Sequence, residues 1–286
     1  MSDAHDTLYP VAGWNVREDE LDLARVAGDE SVFALGNGFI GVRGTFEEQG
    51  AVYANGTFVN GFHETEPIVY GEHAYGYAED RQRMIRLADG TIIEVSVNDY
   101  PLDLTTGTVI SYERMLRMKT GILERTLRWQ SPDGTIVDLH VRRLVSFRRP
   151  HVMAIAWRCT TDSPARIQIS SVIRGKGLSR TAADDPRVGS ALARDALLLR
   201  KRDVDERVAL IRYRTRNSGY DVIAAAANVI DGGVEFERSN LNSQQEVGHG
   251  FDLSLDGGQS VTLHKYVGFY TSREHQRSRL TGLARR

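Results

Sequence analysis

The run Leu35-Gly36-Asn37-Gly38-Phe39-Ile40-Gly41-Val42-Arg43-Gly44 admits two incompatible readings, and the fold turns on which one holds. Its glycines satisfy G-x-G-x-x-G, the spacing of a loop that cradles a dinucleotide or a nucleoside triphosphate. Such a loop works because a strand ends in the glycines and a helix begins there, aiming free backbone N–H groups at a phosphate. Residues 32–35 would supply the strand, but the helix is missing. Val42-Arg43-Gly44-Thr45-Phe46 has a β-branched residue, a further glycine and no apolar spacing at i, i+3, i+4. A kinase loop would carry valine where this chain has Arg43, and no Val-Ala-Ile-Lys strand follows. The glycines are therefore read as backbone devices, permitting positive φ, tight bends and close approach within or between strands.

The rest of the chain supports an extended reading. Ile93, Val95 and Val97 share one face while Glu94, Ser96 and Asn98 share the other. Ile167 and Ile169 alternate with Arg166, Gln168 and Ser170; Ala209, Ile211 and Tyr213 with Arg212 and Arg214; Phe251, Leu253 and Leu255 with Asp252 and Ser254. Such period-two runs suit antiparallel sheets with one buried and one wet face. Asp89-Gly90, Asp133-Gly134, Asp231-Gly232-Gly233 and Asp256-Gly257-Gly258 each separate two such runs, and Asp-Gly is a hairpin signal. Roughly fourteen to eighteen strand-like runs are too many for one small barrel, and two large packed sheets are the natural container. Only residues 18–26 and 272–286 read as helical.

Two stretches interrupt the alternation. Residues 60–81 carry Phe62, His63, Glu64, Glu66, Tyr70, Glu72, His73, Tyr75, Tyr77, Glu79 and Asp80, and residues 175–194 are rich in small side chains. Long segments without strong periodicity are often either functional or mobile.

With 286 residues, 41% of them hydrophobic, the chain can bury a sizeable core. A net charge of −2, with the 36 basic residues dispersed among 38 acidic ones, provides no stripe for nucleic acid. Only four of the basic residues are lysines. The single cysteine, Cys159, excludes an intrachain disulfide and a Cys-based zinc cluster. It reads as a small buried hydrophobe in a strand. The N-terminus lacks a basic n-region and an apolar h-region, so no leader is expected. No apolar run approaches the roughly 20 residues that span a bilayer. A cytoplasmic protein without membrane or nucleic-acid partners is the expectation.

Trp14, Glu20, the run Glu30-Ser31-Val32-Phe33-Ala34-Leu35-Gly36-Asn37-Gly38-Phe39-Ile40-Gly41-Val42-Arg43-Gly44 and then Asn60-Gly61-Phe62 together resemble the N-terminal domain of glycoside hydrolase family 65. Thr120-Gly121-Ile122-Leu123-Glu124-Arg125 and the strand leading to Val145-Ser146-Phe147 add to the likeness. The resemblance covers essentially the whole chain. Its E-S-x-F-x-L-G-N-G-x-x-G-x-R-G core is far more specific than the glycine spacing alone.

The family includes maltose, trehalose and kojibiose phosphorylases and some disaccharide hydrolases. The resemblance implies an all-β fold: a large two-sheet antiparallel β-sandwich of the supersandwich, galactose-mutarotase-like kind, with few short helices. It assigns residues 1–272 to that sandwich and 273–286 to the start of a linker towards an (α/α)6 barrel. The family's catalytic carboxylic acid and phosphate-binding residues lie in the barrel, to which nothing here corresponds. The implied partners are that barrel, the disaccharide bound by the parent enzyme, and a second copy in a homodimer. No cofactor is implied; inorganic phosphate would be the parent's co-substrate if it is a phosphorylase.

Glycoside cleavage needs a positioned acid plus a second carboxylate, or a bound phosphate as nucleophile. No carboxylate here sits in a distinguishing motif, so no catalytic residue is assigned. The carboxylates meet aromatics and histidines only in residues 60–81, where Phe62, His63, His73, Tyr75 and Tyr77 are the substrate-proximal candidates. Aromatic faces can stack on sugar C–H surfaces, but the same residues could instead pack the segment onto the sandwich. His63 and His73 match no ligand frame such as H-E-x-x-H, so no metal is expected. Gly36, Asn37, Gly38, Gly41, Arg43 and Gly44 form the structural motif. Arg43, an arginine among glycines and apolar residues, requires a partner, and Glu30, Glu47 and Glu48 are at hand. Two functions compete: a non-catalytic domain of a family enzyme and a free-standing carbohydrate-binding module.

Overall fold

The alternating runs become strands that sort into two large sheets. A computed structural model describes residues 9, 11–48, 50–68, 70–72, 74–175 and 196–286. In chain order its first elements are β1 (Val11–Ala12), β2 (Asn15–Glu18), α1 (Val26–Val32), β3 (Leu35–Gly36), β4 (Ile40–Val42), β5 (Thr57–Val59), β6 (His63–Pro67) and β7 (Asp80–Met84). Longer strands follow: β8 (Ile93–Val97), β9 (Tyr100–Pro101), β10 (Thr108–Arg117), β11 (Ile122–Gln130), β12 (Ile136–Val145), β13 (Val152–Thr161) and β14 (Ala165–Arg174). The last are β15 (Leu197–Val204), β16 (Ala209–Thr215), β17 (Asp221–Asp231), β18 (Phe236–Asn242), β19 (Glu246–Leu255), β20 (Ser260–Thr271) and α2 (Leu280–Ala284).

A ten-stranded sheet has the order β1-β2-β10-β11-β12-β13-β20-β17-β16-β15, and a five-stranded sheet the order β18-β19-β14-β8-β9. The described pairings are antiparallel, as the all-β sandwich requires. The two sheets share one core. Leu127, Trp129, Leu139, Trp157 and Leu263 come from the larger sheet, and Val95, Ile167, Ile169, Phe251 and Leu253 from the smaller. Burying each such side chain contributes about 1.5–3 kcal/mol. Cys159 lies in this core, and burial pushes its thiol up to about 12, so it is an inert apolar filler.

The Asp-Gly signals divide into two kinds. Asp133-Gly134 makes the expected hairpin between β11 and β12, with Gly134 at φ +93°. Asp231-Gly232-Gly233 and Asp256-Gly257-Gly258 are corners instead: the first carries the chain from the ten-stranded sheet into β18, the second returns it from β19 to β20. Asp89-Gly90 is no hairpin either, since Asp89 is buried and bridges Arg174. A tight reversal and a change of sheet use the same turn residues, so dipeptides alone do not separate them.

The expected first helix is displaced. Residues 15–18 form β2 against β10, because Glu18 turns inward to Arg114 Nε at 2.8 Å and to the Tyr112 hydroxyl at 2.7 Å. The helix begins at Val26. Within 272–286 only Leu280–Ala284 is helical, its Leu280 packed against Leu210, Ile223 and Ala225. Residues 60–81 are not structureless: His63 pairs with Met84 and Pro67 with Asp80 in a two-stranded ribbon. Its strands carry charged and polar residues on both faces, which leaves no apolar period to read. Of the small-residue stretch 175–194, only Gly175 lies among the described residues. Among those residues no helix is long and apolar enough to cross a membrane.

Candidate functional site

The glycine run is a small hairpin laid against the sandwich. β3 and β4 pair through Leu35 with Val42 and Gly36 with Gly41, and Gly38 at φ +87° reverses the chain between them. Asn37 organises the turn. Its Oδ1 accepts from Phe39 N at 2.9 Å and Ile40 N at 2.8 Å; its Nδ2 donates to Ser146 O at 2.7 Å and Pro150 O at 3.0 Å. Both amide protons and both acceptor lone pairs of Asn37 are thus used. A phosphate cradle would need those N–H groups free and a helix behind them, and neither condition is met.

Arg43 selects one of its three candidate partners. Its Nε and Nη2 donate to Glu30 Oε2 at 3.3 and 3.1 Å, its Nη1 to Ser31 Oγ at 3.0 Å, and its Nη2 to Ala27 O at 3.1 Å. The same Glu30 carboxylate accepts from Tyr53 N and Ala54 N at 2.7 and 3.0 Å. Three chain segments, α1, the run at Arg43 and residues 53–54, therefore meet at one buried carboxylate. At Gly44 an added Cβ would lie 2.6 Å from the Phe33 carbonyl, so only glycine lets the run pass so close to the end of α1.

Glu47 and Glu48 turn the other way, into the sandwich. Arg125 Nη2 lies 2.8 Å from Glu47 Oε2 and 2.7 Å from Glu48 Oε2, while Arg143 bonds the other Glu47 oxygen and donates to Thr45 O at 2.8 Å. Arg114 donates to Gly44 O at 2.9 Å and stacks over Phe33, 4.1 Å from its ring centre. Burial pushes the Glu47 carboxyl up, yet the charges of Arg143 and Arg125 outweigh burial and hold it below the ordinary range. For Glu18 burial prevails over Arg114, and its pKa is raised.

A second inter-sheet tie lies nearby. Lys265 on β20 donates to Ile92 O at 2.7 Å and Val172 O at 2.8 Å. Burial lowers its amine to about 7. Two carbonyls match the two N–H groups of a neutral amine.

The substrate-proximal candidates are spread out. Phe62 is 1% exposed, in the core, and its ring is 6.3 Å from that of Tyr220. His63 sits at the base of the β6–β7 ribbon, 5.3 Å from Tyr220, with Nδ1 3.2 Å from Gly61 O. Tyr75 and Tyr77 lie at the other end of the ribbon; Tyr75 is completely exposed, and Tyr77 packs on Tyr70 at 4.9 Å. His73 lies outside the described residues. Tyr220 therefore gathers Phe62 and His63, and no described contact joins them to Tyr75 or Tyr77. Between the two groups, Glu64 is buried and accepts from the backbone N–H groups of Thr65, Arg216, Asn217 and Ser218. Burial raises its pKa less than those N–H groups lower it, so it stays ionised.

The interior cations Arg114, Arg125, Arg143 and Lys265 escaped the sequence reading, which singled out Arg43 alone. A signal was present. Leu123, Arg125, Leu127 and Trp129 share one parity, as do Val141, Arg143 and Val145, and Leu263, Lys265 and Val267. A cation on the apolar parity of a strand must face the core and find a partner there.

The model of "Glycosyl hydrolase family 65, N-terminal domain" matches residues 16–285. The chain belongs to glycosyl hydrolase family 65. This family 65 chain is 35% identical over 282 residues to an alpha,alpha-trehalose phosphorylase of Thermoanaerobacter brockii, covering 97% of itself and 36% of that protein. It is 33% identical over 271 residues to an uncharacterized glycosyl hydrolase of Mycobacterium tuberculosis, covering 92% and 34%. A solved structure, a putative kojibiose phosphorylase from human microbiome, superposes with a TM-score of 0.81 at 18% identity, over 96% of this chain and 35% of that one. That likeness shows that the two share a fold. The family 65 chain spans about a third of the length of these proteins.

Proposed function

We propose that this chain is a non-catalytic N-terminal sandwich of a family 65 enzyme that cleaves an α-glucosidic disaccharide. The reaction would be phosphorolysis to β-glucose 1-phosphate and glucose, with inorganic phosphate as co-substrate, or hydrolysis. One observation carries this reading: the buried carboxylates near the family motif are already committed. Glu30, Glu47, Glu48 and Glu64 each hold arginines or backbone N–H groups in place. A catalytic acid must instead meet the glycosidic oxygen in an open site. The trehalose phosphorylase named above, nearly three times as long as the matched region, supports a parent with further domains. In that parent, residues 1–272 are the sandwich and 273–286 the first part of the connection to a helical barrel that supplies the acid and the phosphate site. Scaffolding of the barrel and contacts in a homodimer are the sandwich's roles, in the cytoplasm.

The β6–β7 ribbon would add to the pocket rim. Tyr75 and Tyr77 project from its end, and flat aromatic rings suit the C–H faces of a sugar. The same exposure favours the second reading, a free-standing carbohydrate-binding module.

The purified chain, incubated with phosphate and trehalose, maltose or kojibiose, is expected to release neither glucose nor glucose 1-phosphate. Turnover by a homogeneous preparation would overturn the non-catalytic reading. Calorimetric binding of any of these sugars at millimolar or lower concentration would favour the module. A reading frame that continues past residue 286 into helical repeats would favour the parent enzyme.

A further inference from the structure

We propose that His151, Glu274 and His275 form a binding site for a divalent transition-metal ion of the zinc class. One ligand atom from each of these residues lies within 4.8 Å of the other two. Two imidazoles and a carboxylate are a zinc ligand set, whose donors stand about 2.0–2.2 Å from a bound ion. Imidazole donors disfavour magnesium and calcium, which take oxygen ligands.

The surroundings prepare the site. The His151 ring stacks on Tyr270 at 4.8 Å with 18° between the planes, takes the edge of Phe39 at 4.5 Å, and places Nδ1 3.1 Å from Phe269 O. Such contacts fix an imidazole before it meets a metal. The Nε2 atom of His275 is buried and has no hydrogen-bond partner among the described residues. A buried imidazole nitrogen without a partner is costly, and a cation would satisfy it. Glu274 is half-exposed, its Oε2 3.8 Å from His151 Nδ1, so it brings a negative charge to the pair of histidines.

The placement gives the site a consequence. His151 stands on the loop that Asn37 grips through Ser146 O and Pro150 O, and it touches Phe39 of the glycine run. Glu274 and His275 follow the last strand. A bound ion would tie the segment after β20 to the family motif through three side chains. With three protein ligands, a fourth position stays open to water or to another side chain.

The test uses the chain freed of any affinity tag, stripped with EDTA and titrated with Zn²⁺ in a calorimeter. One ion per chain at micromolar or tighter affinity is expected, together with a rise in Tm that EDTA reverses. His275→Ala and Glu274→Gln should each weaken binding about tenfold or more. His140→Ala, which alters the separate His140–Glu124 pair, should leave it unchanged. Absence of saturable binding, or equal binding by wild type and both site variants, would overturn the proposal. Co²⁺ bound to the unaltered chain supplies a readout independent of any variant. Visible bands of a four-coordinate ion support the site, and the spectrum of hexaaqua cobalt argues against it.

Discussion

The Glu47 carboxylate lies 2.8 Å from the Arg125 guanidinium, across 78 residues of sequence, and both are closed off from solvent. The Glu47 carbonyl also accepts from Ile93 N at 3.0 Å, so one residue of the family segment holds β11 with its side chain and β8 with its backbone. Removing one member of such a buried pair leaves an uncompensated charge. Glu47→Gln is expected to cost about 3–5 kcal/mol. The double change Glu47→Gln with Arg125→Met should cost less than the sum of the two single changes, as measured by urea denaturation of all four proteins.

Arg43→Ala should destabilise the fold by about 1–3 kcal/mol, because Glu30 loses its cation while remaining buried. Arg43→Lys should recover only part of this, since an ammonium cannot reproduce the fork that reaches Glu30, Ser31 and Ala27 together. If Arg43→Ala left the unfolding midpoint unaltered but slowed a full-length enzyme, Arg43 would belong to sugar recognition instead.

Lys265 makes stability rise with pH. Its folded-state pKa of about 7 lies below the ordinary 10.5, so between these values the unfolded chain holds a proton that the folded chain does not. The contribution is at most about 1.4 kcal/mol per pH unit. It is read most clearly between pH 7 and 9, before tyrosines begin to ionise. Lys265→Met should flatten this slope in urea titrations at the two pH values. It should also lower stability at pH 9, because two buried carbonyls lose a donor. At the acid end Glu64 acts in the same direction. Its depressed pKa confers stability above the ordinary carboxylate range that is lost as pH falls through the folded value, so Glu64→Gln should flatten the acid limb.

Tyr75→Ala should leave the Tm of this chain within about 0.5 kcal/mol equivalent of wild type, because the side chain is wholly exposed. Introduced into a full-length family enzyme, the same change should raise KM for the disaccharide. Unchanged kcat and KM there would remove the ribbon from the pocket rim.

The sandwich was legible because period-two alternation survives along the strands, and Ile93-x-Val95-x-Val97 reads directly as one buried face. The motif was legible for a different reason: no helix-forming pattern follows Gly41. The corners at Gly232 and Gly257 were misread, because a turn dipeptide records local geometry and not the sheet that the next strand joins. The first helix was misplaced because Glu18 looks like a helix-start residue until Arg114, far along the chain, draws it inward. The His151–Glu274–His275 cluster left no spacing to read. Its members are brought together only by the pairing of β13 with β20, which sets Val152 opposite Gly268.

That pairing has a consequence for how the molecule comes into being. β20 lies between β13 and β17, so the larger sheet is two separate pieces until the final strand arrives. During synthesis, β10 to β13 can zip as successive hairpins while they emerge, yet β13 and β17 then present open edges. Of these strands, β20 is the last to leave the ribosome. A nascent chain halted before residue 260 therefore leaves the two halves of the larger sheet unjoined, their edges open to edge-to-edge aggregation until β20 closes the gap.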